Sequence, residues 1–174
     1  MVGCRELRNL LQKVAVEMDG NAMLESLAQS ALALTFSRNV VLATVNDELG
    51  LMEIRHGAGS DWDSLPTEDP VLVAIDKTDG IVSFVGATGS PMVSNDVSKQ
   101  PLYKVLFKST VSELAVPVQD RHGRIRGVLN LESDIRDAYQ PDIVDLAQGI
   151  ASLVAIVLER LEARRREEAI NRIA

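Results

Sequence analysis

Residues 113–132 read ELAVPVQDRHGRIRGVLNLE, and no other stretch limits the fold as tightly. Leu114, Val116 and Val118 alternate with Ala115, Pro117 and Gln119. A period of two means a strand with two distinct faces. Asp120-Arg121-His122-Gly123 supplies turn chemistry, and Ile125–Glu132 returns as the partner strand. The pair is an antiparallel hairpin. Pro117 cannot donate to a ladder, so the strand is expected to be bulged there or paired mainly through its N-terminal half.

The rest of the chain supplies the partners of this hairpin. Leu7, Leu10, Leu11, Val14 and Met18 recur at helical spacing over residues 5–18. Gly20 suits a left-handed helix end and Asn21 a new cap, so a second helix is expected from about Ala22 to Leu34. Val40–Val45 and Leu51–Arg55 read as a hairpin about the turn Asp47–Gly50. The stretch 57–70 is rich in Gly, Ser, Asp and Pro and reads as a loop, with a helical turn near Asp69–Ile75. Ile81–Ala87 fits a short helix closed by Gly89 before Pro91. Met92–Ser94 fits a strand, and Pro101–Phe107 a short helix with proline in its first turn. From Pro141 onward one long helix is expected, with Asp142 and Asp145 at its positive end.

Strands joined by tight turns imply a mainly antiparallel sheet, and terminal helices with apolar stripes must cover one of its faces. The fold class is α+β, with loops and short helices on the second face. The run from Gly80 to Ser133 sharpens this reading: a short helix ended by glycine, a Pro-led strand, Asn95-Asp96-Val97 with a polar loop, then the apolar hairpin. This order resembles the GAF domain family of small-molecule sensors, over roughly residues 20–160, and is related in logic to PAS-like and profilin-like folds. The resemblance implies three parts: an N-terminal helix over 1–20, a sensor domain over 20–160 and a signalling helix over 160–174 leading to an output domain.

The 174 residues, 46% hydrophobic and 25% charged, suit one core and are too few for two ordinary domains. A net charge of −7 argues against direct, non-specific nucleic-acid binding, which needs a basic footprint. The single cysteine, Cys4, allows no internal disulfide. There is no secretory signal near Met1 and no uninterrupted apolar run of about 20 residues, so a cytoplasmic protein off the membrane is expected.

Catalytic patterns are missing. His56 ends a strand and His122 lies in a turn, without the clustered cysteines or carboxylates a zinc site needs. No HExxH, P-loop, GxGxxG or G-x-S-x-G pattern occurs. GAF-type methionine sulfoxide reductases carry cysteines in the mid-chain loops, and many bilin-binding members carry one in the region matching residues 96–110; this chain has neither. Cyclic-nucleotide-binding members carry Asn-Lys, then Phe, then Asp-Glu. Here Leu131 follows Asn130, Tyr139 stands near the Phe position, and no Asp-Glu pair follows.

The resemblance therefore implies a non-enzymatic sensor that requires no cofactor and binds an unidentified small molecule. The matching loop and short helix form a pocket wall in the family, which here places Asn95, Asp96 and Tyr103 as polar candidates. Phe84, Val93, Leu102 and Leu106 are apolar candidates, with Glu113 and His56 nearby. Ligand pockets combine apolar walls with a few placed polar groups. Trp62 reads as a core or lid residue. Ile150, Val154, Val157 and Leu161 recur at four, three and four, a heptad seam. With Leu7, Leu11, Val14 and Met18 they are expected to form a four-helix, coiled-coil homodimer interface. Arg164-Arg165-Arg166 is offset by Glu162, Glu167 and Glu168 and reads as a solvated face. Two alternatives stand beside the sensor: a ligand-free dimerisation or scaffolding module, and a redox or chromophore-binding protein of the same fold.

Overall fold

Six strands run antiparallel in one sheet: β1 Asn39–Asn46, β2 Leu51–Gly59, β3 Val71–Ala74, β4 Met92–Ser94, β5 Ser112–Gln119 and β6 Ile125–Ser133, in the spatial order β3-β2-β1-β6-β5-β4. The computed structural model describes residues 5–6, 9, 19–65 and 68–174. Three α-helices lie wholly within the described residues: α1 Gly20–Thr35, α2 Ile81–Thr88 and α3 Pro141–Ile173. The expected seam residues Leu7, Leu11, Val14 and Met18, and Cys4, lie outside the described residues.

The period of two sorts the strand side chains onto two faces, and both are covered. On one face Val40, Leu42, Leu114, Val116, Val118, Leu129 and Leu131 pack with Leu24, Leu27 and Ala31 of α1 and Ile150, Val154 and Val157 of α3. On the other, Val41, Ala43, Met52, Ile54, Ala115 and Val128 pack with Ile81 and Val85 of α2 and with Phe107. Apolar burial on both faces is the main source of stability. Gly86 brings α2 close to the sheet, because a side chain there would run into Met52. Gly20 lets Leu161 of α3 lie directly on the start of α1.

The hairpin registers explain the local chemistry. β5 pairs with β6 from Ser112↔Ser133 to Gln119↔Ile125, with an irregularity between Val118 and Gln119 rather than at Pro117. β4 pairs only with Glu113–Ala115, so Pro117 has no neighbour on that edge and loses no ladder bond there. β2 extends to Gly59, past the expected end at Arg55, and is bulged at Arg55, the extra residue opposite the Leu42–Ala43 step of β1.

Several expectations need correction. Asp19 caps α1 by accepting from the Asn21 N–H, and Gly20 is already helical rather than a left-handed end. The expected helical turn at 69–75 is β3, which pairs Leu51–Ile54 with Val71–Ala74. Its β-branched valines favour a pleated, half-buried surface. The expected helix at 101–107 does not form. Instead Asp96 caps a single 3-10 turn at Val97–Lys99. Gln100, before Pro101, is held extended, as the residue ahead of a proline prefers.

The heptad reading of α3 is also displaced. Ile150, Val154 and Val157 are buried in this chain's own core, and Leu161 packs on it, so that stripe faces the sheet and α1. Residues 141–158 are apolar enough by length and composition to cross a bilayer, but this helix covers the sheet. Beyond Glu162 every α3 residue is exposed. Ile156, Ala163 and Ile170, seven residues apart, share a solvent-facing stripe.

Candidate functional site

Asn130 and Glu132 alternate with Leu129 and Leu131 along β6, so they point away from α3, towards α2. Glu113 and Ala115 do the same on β5. The register sets Glu113 directly opposite Glu132, with Asn39 beyond Glu132 on β1 and Ser94 beyond Glu113 on β4. A polar row therefore crosses the sheet under the loops. All four residues are buried, Glu113 at 4% and Glu132 at 2% exposure.

Each member has some partners, but three oxygens have none. Thr110 Oγ1 donates to Glu132 Oε1 at 2.9 Å. The Asn130 amide donates to the Glu113 carboxylate. Glu113 Oε2, Glu132 Oε2 and Asn130 Oδ1 are buried without a protein hydrogen bond. Such groups are rare because each forgoes the solvation it had in water. Burial pushes Glu113 well above the ordinary carboxylate range, and the facing Glu132 charge adds to it. Burial likewise pushes Glu132 up to about 7, with the Asp61 charge raising it and the Thr110 hydrogen bond opposing. Tyr103 stands nearby: burial first, then the Glu132 charge, raises its hydroxyl, while a hydrogen bond with Thr110 lowers it.

Glu113 and Asn130 form the polar floor of a cavity of about 140 Å³ beneath α2. Ile54, Val71, Val73 and Ile81 give it apolar walls, and Leu106 closes one side. Lys104 and Asp79 at its lining form an ion pair of 3.0 Å. One end of the polar row is fastened by Asp61. Its carboxylate accepts from Arg38 Nε at 2.9 Å, Asn39 Nδ2 at 2.8 Å and Ser109 Oγ at 2.6 Å. These bonds hold the Asp61 carboxyl far below the usual range, Arg38 contributing most. Asn39 Oδ1 in turn accepts from the N–H groups of Asp61 and Trp62, so the loop after β2 is tied to β1.

Of the sequence-expected site residues, Glu113 and Leu106 line this cavity. Phe84, Leu102 and Tyr103 pack half-buried in the same apolar layer without lining it. Trp62 is part of that layer too. Asp96 is engaged elsewhere: it accepts from Ser98 N and Oγ and pairs with Arg136 at 3.2 Å. Asn95 Oδ1 accepts from Tyr139 N, which anchors the strand end to the segment before α3. Val93 is exposed on β4. His56 pairs with Leu42, whose side chain lies on the α1–α3 face, and it borders an open groove of about 450 Å³ with Leu24, Arg126 and Glu162. His56 and Glu113 thus stand at different pockets. Burial lowers the His56 imidazole, and its Nδ1 is unpartnered.

Asn130, Glu132, Ile54, Val71, Val73 and Ile81 were missing from the sequence reading. The signal for the first two was present, because two polar residues alternate inside an apolar strand. Alternation alone reads as a wet face. It becomes a site only once the loops are seen to cover that face.

The architecture is an α+β sandwich whose antiparallel sheet is covered by long helices on one side and by a short helix and loops on the other. The family description "GAF domain" matches residues 17–159, and the chain belongs to that family. GAF domains are generally sensory or regulatory. The chain is similar in structure to the GAF domain of a phosphoenolpyruvate-protein phosphotransferase from Coxiella burnetii, at 15% identity and TM-score 0.81, covering 93% of this chain and 95% of that one. The corresponding Acinetobacter domain gives 15% identity and TM-score 0.78, covering 91% and 93%. The free methionine-R-sulfoxide reductase of Neisseria meningitidis, solved with its substrate, gives 20% and 0.74, covering 88% and 86%. The fold thus serves regulatory domains and enzymes alike. No curated protein matches this chain in sequence.

Proposed function

We propose that this chain is a non-catalytic sensor domain that binds a small molecule between the sheet and α2. The observation that carries the reading is the set of three unpartnered, buried oxygens, two of them on Glu113 and Asn130 at the cavity beneath α2 and the third on Glu132, the strand partner of Glu113. A collapsed scaffold would gain stability from apolar residues at these positions, since an unsatisfied buried polar group costs about 1–3 kcal/mol. Three such groups kept together favour a bound state that satisfies them. The chain needs no resident cofactor for this role.

Binding is read out through the surrounding elements. A ligand under α2 touches Ile81, Leu106 and β5, and β5 packs on its other face against α3. The end of α3 runs past the sheet into solvent, which suits it to lead into an output domain. We infer that two copies would associate through Ile156, Ala163 and Ile170 of α3, a reading supported by the exposure of this stripe and the burial of the inner one.

The test is a thermal-shift screen of the purified chain against small metabolites. A ligand present at about 100 times its Kd adds about 2.7 kcal/mol. A hit that is lost when Leu106→Trp fills the cavity supports the reading. A hit indifferent to Leu106→Trp, or a screen without hits, contradicts it.

A further inference from the structure

We propose that the cavity beneath α2 takes a compact cation bearing N–H donors, a primary ammonium or amidinium group, held by the Glu113 carboxylate and Asn130 Oδ1 with the Glu132 carboxylate behind them. This rests on the small-molecule reading above and adds the chemical class of the ligand.

The unpartnered atoms are Glu113 Oε2, Asn130 Oδ1 and Glu132 Oε2, on residues exposed by 4%, 1% and 2%; the amide oxygen is an acceptor, and the carboxyl oxygens are acceptors once their shared proton has left. A ligand that satisfies acceptors must bring donors. An anion would bring more acceptors and a like charge to the facing carboxyl groups, and like charges repel strongly in a desolvated site. A cation turns the same pair into a charge-assisted site.

Size and coordination narrow the class. A hard divalent ion takes about six to eight oxygens. The cavity lining offers the Glu113 carboxyl and one amide oxygen among the aliphatic walls Ile54, Val71, Val73 and Ile81, while its other carboxylate, Asp79, is paired with Lys104. An ammonium on a short carbon body uses both parts, with its head on the floor and its body on the walls. A volume of about 140 Å³ suits a small body, and the exposed Leu72 and Val105 mark the side on which the cavity opens to solvent.

The charge state of the pair gives a second readout. The facing carboxyl groups share a proton more readily than two isolated ones, for the reasons of burial and mutual charge given above. The groups that bear on them are Asp61 from the loop after β2, Tyr103 from the loop after β4, Tyr139 from the segment before α3, the Asn130 and Thr110 hydrogen bonds, and, at the cavity lining, Lys104, whose charge is taken up by its ion pair with Asp79. A cation entering the site favours the ionised form, so the shared proton leaves to solvent as the ligand binds.

Isothermal titration calorimetry of the full chain tests this with short primary alkylamines, small α-amino acids and acetamidine. Their N-acetylated or carboxylate counterparts, calcium chloride and magnesium chloride serve as comparisons. The proposal expects at least one amine or amidine to bind, with its N-acetylated counterpart weaker by at least about tenfold, the worth of a charged hydrogen bond. The heat near pH 7 should vary with the ionisation enthalpy of the buffer, reporting proton release. Glu113→Gln should weaken binding at least about tenfold while circular dichroism and Tm show a folded protein. Leu106→Trp, at a half-buried position, gives a second loss that leaves the carboxyl pair intact. Binding of only divalent ions, equal binding of acetylated and free amines, or no binding in the amine panel would overturn the proposal. A neutral or anionic ligand whose binding is lost in Leu106→Trp would overturn this class while leaving the small-molecule reading standing.

Discussion

Glu113 and Glu132 are the residues whose chemistry is least ordinary for their position. A carboxyl raised in the folded state binds protons more tightly there than in the unfolded chain. Its contribution is therefore fully present below the ordinary value near 4.5 and is lost as pH rises through the folded value, about 7 for Glu132. Between pH 5 and 8 the free protein should lose stability, by an amount of the order of a few kcal/mol. Glu132→Gln should flatten that decline and leave the variant more stable than the parent at pH 8, read as Tm against pH for both. Asp61 and Asp120 are shifted downward, so their pH-dependent terms fall below this window. Equal slopes in parent and variant would show that the pair does not titrate as described. Phe36 makes a separate case. It closes α1 in a left-handed conformation, φ 54°, with its ring 84% exposed. Left-handed backbone costs a non-glycine residue about 1–2 kcal/mol. Phe36→Gly should therefore raise stability by about 1 kcal/mol in chemical denaturation. A loss instead would mean that the exposed ring has a stabilising contact.

At the scale of elements, α2 is the part that makes the cavity. Its residues Ile81, Val82 and Ser83 line it, and Gly86 sets how closely the helix lies on Met52. Gly86→Val should push α2 outward at a cost of about 1–3 kcal/mol, as overpacking does. It should also weaken any ligand more than the loss of stability alone explains, measured by urea unfolding and by titration of one hit. The elements most legible in sequence were those with a clean period: the β5–β6 hairpin, α2 with its glycine stop, and α3. Their signals are local. The strand β3 was read as a helical turn because four residues, Val-Leu-Val-Ala, carry no period that distinguishes the two, and only pairing with β2 decides it. Asn95 and Asp96, expected as polar pocket residues, do not line the cavity under α2. Both are polar loop residues, yet Asp96 closes a local turn and Asn95 holds the segment before α3, uses that sequence alone does not separate from ligand contact. Asn130 and Glu132 were overlooked for the opposite reason: their neighbours across the sheet are set by register, which no local pattern shows.

For the whole molecule, the sheet divides two tasks. One face holds α1 and α3 in an aliphatic core, and the other holds the polar row and its cavity. A change on the cavity face reaches α3 through strands whose side chains alternate between the two, Glu113 beside Leu114 and Asn130 beside Leu131. The heptad stripe first read from Ile150 to Leu161 belongs to this internal core, so Val154→Glu should unfold the domain rather than dissociate a dimer. Ile156→Glu with Ile170→Glu should leave the fold intact and shift the mass by analytical ultracentrifugation towards the monomer. An unchanged mass in a protein that is dimeric before substitution would move the contact away from this stripe.

The most direct measurement is a crystal structure of the chain with the tightest hit from the thermal-shift screen. The account expects ligand density between Ile81, Leu106 and the sheet, with a donor within hydrogen-bond distance of Glu113 and Asn130. Density in the open groove beside His56 and Arg126, on the opposite face, with the cavity under α2 unoccupied, would contradict it.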